Sequence, residues 1–250
     1  DSPEHPNSIG ILFALDVSGS MGEIPKQLAT QTLPSFMKTL LEAGVTDPQI
    51  LFMAVGNAVS DAAPLQVGQF ESTEKLMDTW LVNMYLEGGG SGGNESYELA
   101  MYFAARHTDM DCVRKRNHKG YFFVTGDEPT NPNVLKNEVK HLIGDELDKD
   151  IPTRDILREL RRSFEPFYLI PDPGRAGVKP DWENFFEERV IVMPGPADTG
   201  YVTAALVALC ESKSATLDAI IGQFTANGLA KGRADAIAKA VAPFAKTLSR

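Results

Sequence analysis

The sequence predicts an α/β fold with a doubly wound, mostly parallel central sheet and helices on both of its faces. Three observations lead to this prediction. Apolar runs of strand length recur along the chain, helical patterns separate them, and several runs end abruptly at an acid or a glycine. Alternating strands and helices form a parallel sheet covered on both faces, which is the Rossmann-like arrangement. With 250 residues, 43% of them hydrophobic, the chain is large enough for one generous core.

Five apolar runs are expected to form the sheet. The run at 9–15 is almost wholly apolar, as expected of a central strand that is buried on both faces. A weaker run at 65–70 fits a short edge strand. The five expected strands are 9–15, 49–56, 121–125, 166–170 and 189–193.

Helical patterns fill the segments between these strands. Pro34 lies inside the pattern at 23–43 and is expected to kink or split that helix. The last two helices follow the final strand, so we expect a main domain over residues 1–212 and a C-terminal helical extension over 213–250. The expected helices are 23–43, 72–82, 95–106, 133–143, 153–163, 199–210, 214–225 and 231–248.

Charge and composition argue against several classes of partner. The net charge is −10, whereas nucleic-acid-binding proteins carry a basic footprint. The basic run at 114–119 is expected to be a solvated loop. Two cysteines, Cys112 and Cys210, do not make a disulfide framework. No segment approaches the roughly 18 apolar residues that a membrane span needs. We therefore expect neither a nucleic-acid nor a membrane partner.

Asp16, Ser18 and Ser20 follow the first expected strand directly. Ligands of open α/β sheets bind beyond the carboxyl ends of such strands. One carboxylate and two hydroxyls are hard oxygen donors, which suit Mg²⁺ or a similar cation. A turn that leads into a helix N-cap uses the same residue types, so this motif alone leaves both interpretations open.

Two further segments would bring oxygen donors to the same edge of the sheet. Residues 88–93 contain five glycines and run into Asn94, Glu95 and Ser96. Glycine lets the backbone approach a ligand closely, but the lysine of a Walker phosphate loop is absent here. The second segment follows the apolar run at 121–125, which leads to an acid as the first expected strand does. Taken together, three strand-end loops predict one shared cation site.

The pattern Asp16-x-Ser18-x-Ser20, followed by Met21-Gly22, resembles the metal-ion-dependent adhesion site (MIDAS) of von Willebrand factor type A (vWA) domains. The resemblance covers residues 8–210, and it is to the prokaryotic stand-alone type. It implies that the main domain over 1–212 is a vWA domain. The metal ligands that it implies are Asp16, Ser18, Ser20, Glu95 and Asp127.

The second and third loops depart from the pattern of most members. Most vWA domains offer a threonine after a glycine pair, whereas this loop resembles a subgroup in which an acid opens the helix. Glu95 is the best match to that acid, with Ser91, Asn94 and Ser96 as alternatives. The common order Thr-Asp-Gly is replaced by Thr-Gly-Asp, which ends at Asp127.

The resemblance also implies a function. In this family the cation, here Mg²⁺ or else Mn²⁺ or Ca²⁺, keeps one coordination position for a carboxylate from a partner protein. The expected partner therefore offers an Asp or Glu side chain. Many intracellular members act with AAA+ ATPases or other assembly machinery, which implies such a partner and a cytoplasmic location.

Two alternatives are a metal-dependent hydrolase and a scaffold with a vestigial metal site. The serine motif is not the Gly-x-Ser-x-Gly pattern of hydrolases, and no histidine pair has zinc-site spacing. We therefore expect no enzyme. A scaffold would dock a neighbour through the C-terminal helices or the proline-rich connection at 165–181, which is otherwise expected to be an ordinary loop. The aromatic residues that follow it, at 182–186, are expected to pack on the core.

Overall fold

A computed structural model describes residues 1–88 and 93–248, and in these residues six strands form one central sheet while two short strands form another. The strands are β1 (Ile9–Asp16), β2 (Pro48–Val55), β3 (Leu65–Val67), β4 (Gly120–Thr125), β5 (Asn133–Val134), β6 (Ile151–Pro152), β7 (Phe164–Ile170) and β8 (Val190–Val192).

The central sheet has the order β3-β2-β1-β4-β7-β8. Every neighbouring pair is parallel except β2 and β3, because β3 is a short antiparallel edge strand. The predicted mostly parallel sheet is therefore confirmed. Asp16 pairs with Val55, and Leu15 pairs with Thr125, so β1, β2 and β4 end at the same level. The three loops that leave these strands start at one edge of the sheet.

Helices cover both faces of this sheet, as predicted. Side chains of β1 alternate between two cores: Phe13 faces one, and Leu12 and Ala14 face the other. The helices are α1 (Ile24–Gln27), α2 (Phe36–Glu42), α3 (Glu74–Asn83), α4 (Tyr97–His107), α5 (Asp111–Arg116), α6 (Lys136–Leu142), α7 (Thr153–Ser163), α8 (Lys179–Phe186), α9 (Thr199–Glu211), α10 (Leu217–Ala226) and α11 (Lys231–Leu248).

The first predicted helix, 23–43, is split as its proline suggested. Between α1 and α2 the chain passes through a π-helical turn, Leu28–Thr32, and a 3₁₀ turn, Leu33–Ser35. Pro34 has no N–H to donate to the preceding turn, so the regular ladder cannot continue through it.

Two short helices were not predicted. The expectation of a loop for the whole basic run is wrong for residues 114–116, which lie in α5. There Arg114 and Lys115 pair with Asp111 one turn earlier, and such spacing supports a helix. The second is α8, whose Trp182 and Phe186 are buried as expected. The expectation of an ordinary loop over 165–181 is wrong for residues 165–170, which lie in β7, and for 179–181, which lie in α8.

The two C-terminal helices pack on the core of the sheet. Phe224 of α10 contacts Tyr201 of α9, and Phe244 of α11 contacts Phe167 of β7, both with ring centroids 5.0 Å apart. The expected boundary at residue 212 falls in the turn between α9 and α10. Among the described residues, no helix is both long and apolar enough to cross a membrane.

Candidate metal site

Asp16 is the last residue of β1, and its carboxylate is fully buried at the edge of the sheet. One oxygen, Oδ1, accepts a hydrogen bond from the backbone N–H of Ser18 at 2.8 Å. The other, Oδ2, accepts from the hydroxyl of Tyr97. Burial raises the pKa of Asp16 to about 6, although its hydrogen bonds with Ser18 and Tyr97 act in the opposite direction. The first loop therefore holds a rigidly oriented carboxyl group.

The hydroxyls of Ser18 and Ser20 lie side by side. Their Oγ atoms are 3.1 Å apart. Two adjacent oxygens around an octahedral Mg²⁺, each about 2.1 Å from the ion, are about 3.0 Å apart. The spacing of the two hydroxyls therefore fits two neighbouring positions of one Mg²⁺ shell.

Asp127, just beyond β4, contacts this pair from the third loop. Its Oδ1 accepts a hydrogen bond from the Ser20 hydroxyl at 2.6 Å, and its Oδ2 accepts from Nε of Arg175 at 2.9 Å. Because the hydroxyl proton of Ser20 is directed at Asp127, Ser18 is the donor of the 3.1 Å bond between the two hydroxyls, and one lone pair of Ser20 Oγ is left for another partner. Asp127 is thus placed to orient the Ser20 hydroxyl.

Glu95 lies two residues before α4 and joins the second loop to the third. Its backbone N–H donates to the carbonyl of Pro129 at 3.2 Å, and its side chain is buried. The Oε2 atom is buried without a hydrogen-bond partner among the described residues. Burial raises the pKa of Glu95 to about 8, and the nearby charges of Asp16, then of Asp61, Glu128 and Asp127, raise it further.

Such an oxygen is costly, because a buried polar atom needs a hydrogen bond and, once the group ionises, a positive charge. A divalent cation would supply that charge. Within residues 1–88 and 93–248, no group of three or more His, Cys, Asp or Glu side chains is placed to hold a metal without other donors. A cation here would therefore need the serine hydroxyls as well as an acid, and the 3.1 Å spacing of the Ser18 and Ser20 Oγ atoms fits that requirement.

The other predicted candidates of the second loop have different roles in the structure. The Ser96 hydroxyl accepts a hydrogen bond from the backbone N–H of Ala58 at 2.9 Å. The side-chain amide of Asn94 donates to Asn131 at 3.4 Å. Ser91 lies outside the described residues. Of the candidates that are described, Glu95 is the one with a buried side-chain oxygen that lacks a hydrogen-bond partner.

An aromatic cluster under the site explains the unusual Thr-Gly-Asp order. A Cβ atom at Gly126 would meet the Tyr97 hydroxyl oxygen at 2.1 Å and the Tyr168 hydroxyl oxygen at 2.8 Å. Tyr168 stacks on Trp182 with centroids 3.8 Å apart, and both donate to the carbonyl of Glu128, from 3.2 and 2.9 Å respectively. Glycine at 126 therefore lets Tyr97 reach Asp16.

Sequence reasoning did not identify two residues that contact the acids of the candidate site, Tyr97 and Arg175. Tyr97 follows Glu95 and Ser96 directly, so its place at the start of α4 was a signal that it borders the site. Arg175 lies in the segment that follows β7. The only signal for it in the sequence was that this segment leaves the carboxyl end of a predicted strand.

Comparison with known proteins shows the fold. No protein-family model and no curated protein matches this sequence. Solved structures do match. The open conformation of SpaC, a pilus adhesin from Lactobacillus rhamnosus GG, has a TM-score of 0.55 and 9% identity over 81% of this chain and 30% of its own. Proximal thread matrix protein 1 (PTMP1) from the mussel byssus has a TM-score of 0.53 and 12% identity over 80% of this chain and 47% of its own.

A second PTMP1 structure, with a TM-score of 0.53 and 11% identity, is described as having a zinc-occupied MIDAS motif. This chain matches less than half the length of each of these proteins. The chain therefore has a vWA-like fold, and the resemblance seen in its sequence is confirmed at the level of the fold.

Proposed function

We propose that this chain is a metal-dependent protein-interaction module whose cation binds the carboxylate of an Asp or Glu from a partner protein. The buried, unpartnered Oε2 of Glu95 carries the proposal. It lies among acids that raise the pKa of Glu95, and it belongs to the loop that meets the Asp127 loop. A cation would supply the positive charge that this oxygen lacks among these acids.

Ser18, Ser20 and Glu95 would hold the cation directly. Asp16 would hold it directly or through water, and Asp127 would act through the Ser20 hydroxyl. The bound cation supplies an open coordination position for an outside carboxylate oxygen. Hard oxygen donors favour Mg²⁺, with Mn²⁺ or Ca²⁺ as substitutes. The zinc at the MIDAS motif of PTMP1 supports a divalent cation in this fold.

Binding is favoured over catalysis by the partners of the two serines. A serine nucleophile needs an adjacent base, most often a histidine. In the described part of the chain, neither hydroxyl has a histidine partner: Ser18 bonds to Ser20, and Ser20 bonds to Asp127. We therefore propose a binding protein and not a hydrolase.

The sequence resemblance alone supports the finer part of the proposal, a partner in an AAA+ ATPase or similar assembly system in the cytoplasm. A pull-down repeated with and without a chelator separates metal-gated association from a scaffold with a vestigial site. Association that persists in the chelator would favour the scaffold.

Titration calorimetry with Mg²⁺ and with Mn²⁺ tests the metal site. We expect the wild type to bind one equivalent and Glu95→Gln to lose at least about tenfold in affinity. Glu138→Gln is the matched control, because Glu138 on α6 also has a buried side-chain oxygen without a hydrogen-bond partner among the described residues and is not a candidate ligand. It should bind metal like the wild type.

Two outcomes would contradict the proposal. A folded wild type that binds neither ion has no working metal site. Equal affinity in Glu95→Gln and the wild type would show that the unpartnered oxygen is not a ligand. Urea denaturation of each variant verifies that it is folded.

A further inference from the structure

Arg175 brings a fourth strand-end loop to the candidate metal site. It lies in the 3₁₀ segment Pro173–Val178, which follows β7. Asp172 fixes the start of this segment, because its Oδ1 accepts a hydrogen bond from the N–H of Gly174 at 2.8 Å. The arginine side chain is thereby directed back across the edge of the sheet towards the loops that follow β1 and β4.

The guanidinium group of Arg175 joins three loops. Its Nε donates to Oδ2 of Asp127 at 2.9 Å, and its Nη1 donates to Oδ2 of Asp172 at 2.6 Å. Its Nη2 donates to the backbone carbonyl of Ser20 at 3.3 Å. The side chain of Asp127 is only 8% exposed and that of Arg175 is 29% exposed, so this ion pair is partly shielded from water.

The formal charges of the site explain why a positive side chain matters here. Asp16, Glu95 and Asp127 together carry one negative charge more than a divalent cation can balance. A site with that surplus holds its metal tightly and repels a further carboxylate. Among the described residues, Arg175 is the basic side chain that forms an ion pair with this cluster, and its charge, which it shares with Asp172, offsets part of the surplus.

We propose that Arg175 is a specificity-determining residue, whose positive charge offsets Asp127 so that the metal-loaded site attracts an anionic partner. This inference rests on the proposed metal-dependent function. It adds that the positive charge of Arg175 lowers the affinity of the site for the cation and raises the affinity of the loaded site for a carboxylate. The charge of the arginine, and not only its hydrogen bonds, produces this effect.

Replacement of Arg175 should therefore change two affinities in opposite directions. In Arg175→Met, we expect Mn²⁺ to bind about three- to tenfold more tightly, and an outside carboxylate to bind the loaded site about three- to tenfold more weakly. Arg175→Lys keeps the charge and loses the planar donor set, so both affinities should stay within about twofold of the wild type. Arg175→Gln is a second neutral variant, which should behave like Arg175→Met.

Mn²⁺ affinity is measured from the electron paramagnetic resonance signal of the free ion. The probe for the open position is N-acetylglutamate, whose binding displaces metal-bound water and lowers the water-proton relaxation rate. Arg106→Met is the matched control, because Arg106 pairs with Glu159 and is 33% exposed. It lies near the end of α4 that is remote from the site, and the 11 residues of this helix span about 15 Å. Both of its affinities should match the wild type.

A purely structural role for Arg175 predicts a different pattern. If its hydrogen bonds only clamp the loops, then the Met, Gln and Lys variants should all lose affinity for both Mn²⁺ and N-acetylglutamate. That pattern would overturn the inference, as would unchanged affinities in Arg175→Met and Arg175→Gln. If the wild type binds Mn²⁺ and these variants show either pattern, the inference about Arg175 is wrong but the proposed function is not affected. A wild type that binds no Mn²⁺ defeats the proposed function as well.

Discussion

At the scale of single residues, the candidate site depends on one close approach, that of Tyr97 to the backbone at Gly126. The Tyr97 hydroxyl donates to the buried Asp16 carboxyl, and only a residue without a Cβ leaves room for it. Gly126 is therefore needed for the hydrogen bond that holds the Asp16 carboxyl in place.

Gly126→Ala should destabilise the fold by about 2 kcal/mol or more, because the new methyl group overlaps the Tyr97 hydroxyl and forces it away from Asp16. The matched control is Gly195→Ala, in the loop after β8. A Cβ atom there meets nothing within 4 Å, and its φ of −179° suits any residue. Urea denaturation measures both, and equal stability of the two variants would contradict this account.

The candidate ligands could be named from the sequence because each follows an apolar strand or a glycine-rich loop directly. Asp16 and Asp127 are local signals of this kind. Tyr97 and Arg175 could not be assigned a role in the same way, since their contacts depend on the tertiary fold. The Tyr97 hydroxyl bonds to a residue 81 positions away, and Arg175 bonds to one 155 positions away.

At the scale of secondary-structure elements, the first turn of α4 ties the second loop to the third. Glu98, on that turn, accepts hydrogen bonds from Thr130 at 3.0 Å and from Asn131 at 3.1 Å. Glu95 pairs with Thr130 through a short parallel bridge. The helix therefore fixes the acid of the second loop relative to the loop that carries Asp127.

Glu98 also makes the stability of the metal-free protein dependent on pH. Burial raises its pKa from 4.5 to about 8, although the hydrogen bonds of Asn131 and Thr130 lower it in part. Between these two values the folded protein keeps a proton that the unfolded chain has lost. Its free energy of unfolding should therefore fall as the pH rises from about 4.5 to 8, by an amount on the order of 5 kcal/mol for this group.

Urea denaturation at several pH values, in a chelator, checks this slope. The amide introduced by Glu98→Gln does not titrate, so in this variant the free energy of unfolding should fall less steeply between about pH 4.5 and 8 than in the wild type. Glu183→Gln, which removes an exposed acid of α8, should retain the wild-type slope. Parallel slopes for Glu98→Gln and the wild type would show that Glu98 does not hold this proton.

Most elements could be predicted because their hydrophobic periodicity is long and clear. Helices α7 and α11 have the predicted bounds, and each main-sheet strand lies within or near its predicted run. Helices α5 and α8 are short, so periodicity gave little signal for them. They are stabilised instead by ion pairs around Asp111 and by burial of Trp182, which depend on the surrounding structure.

At the scale of the whole molecule, the register of the sheet assembles the site. Because β1, β2 and β4 end at one level, loops that are distant in the sequence meet at a single edge. The sequence predicted this layout from the alternation of strands and helices. It did not predict that α10 and α11 would bury Phe224 and Phe244 in the same core as the sheet, since a helical pattern alone does not reveal what the helix contacts.

The central claim is that this edge holds a divalent cation, and a crystal soaked in Mn²⁺ tests it most directly. We predict one strong anomalous peak within about 2.5 Å of Ser18 Oγ, Ser20 Oγ and a carboxylate oxygen of Glu95. An anomalous map that shows no peak among these three side chains at saturating Mn²⁺, or a peak only elsewhere on the protein, would contradict the claim.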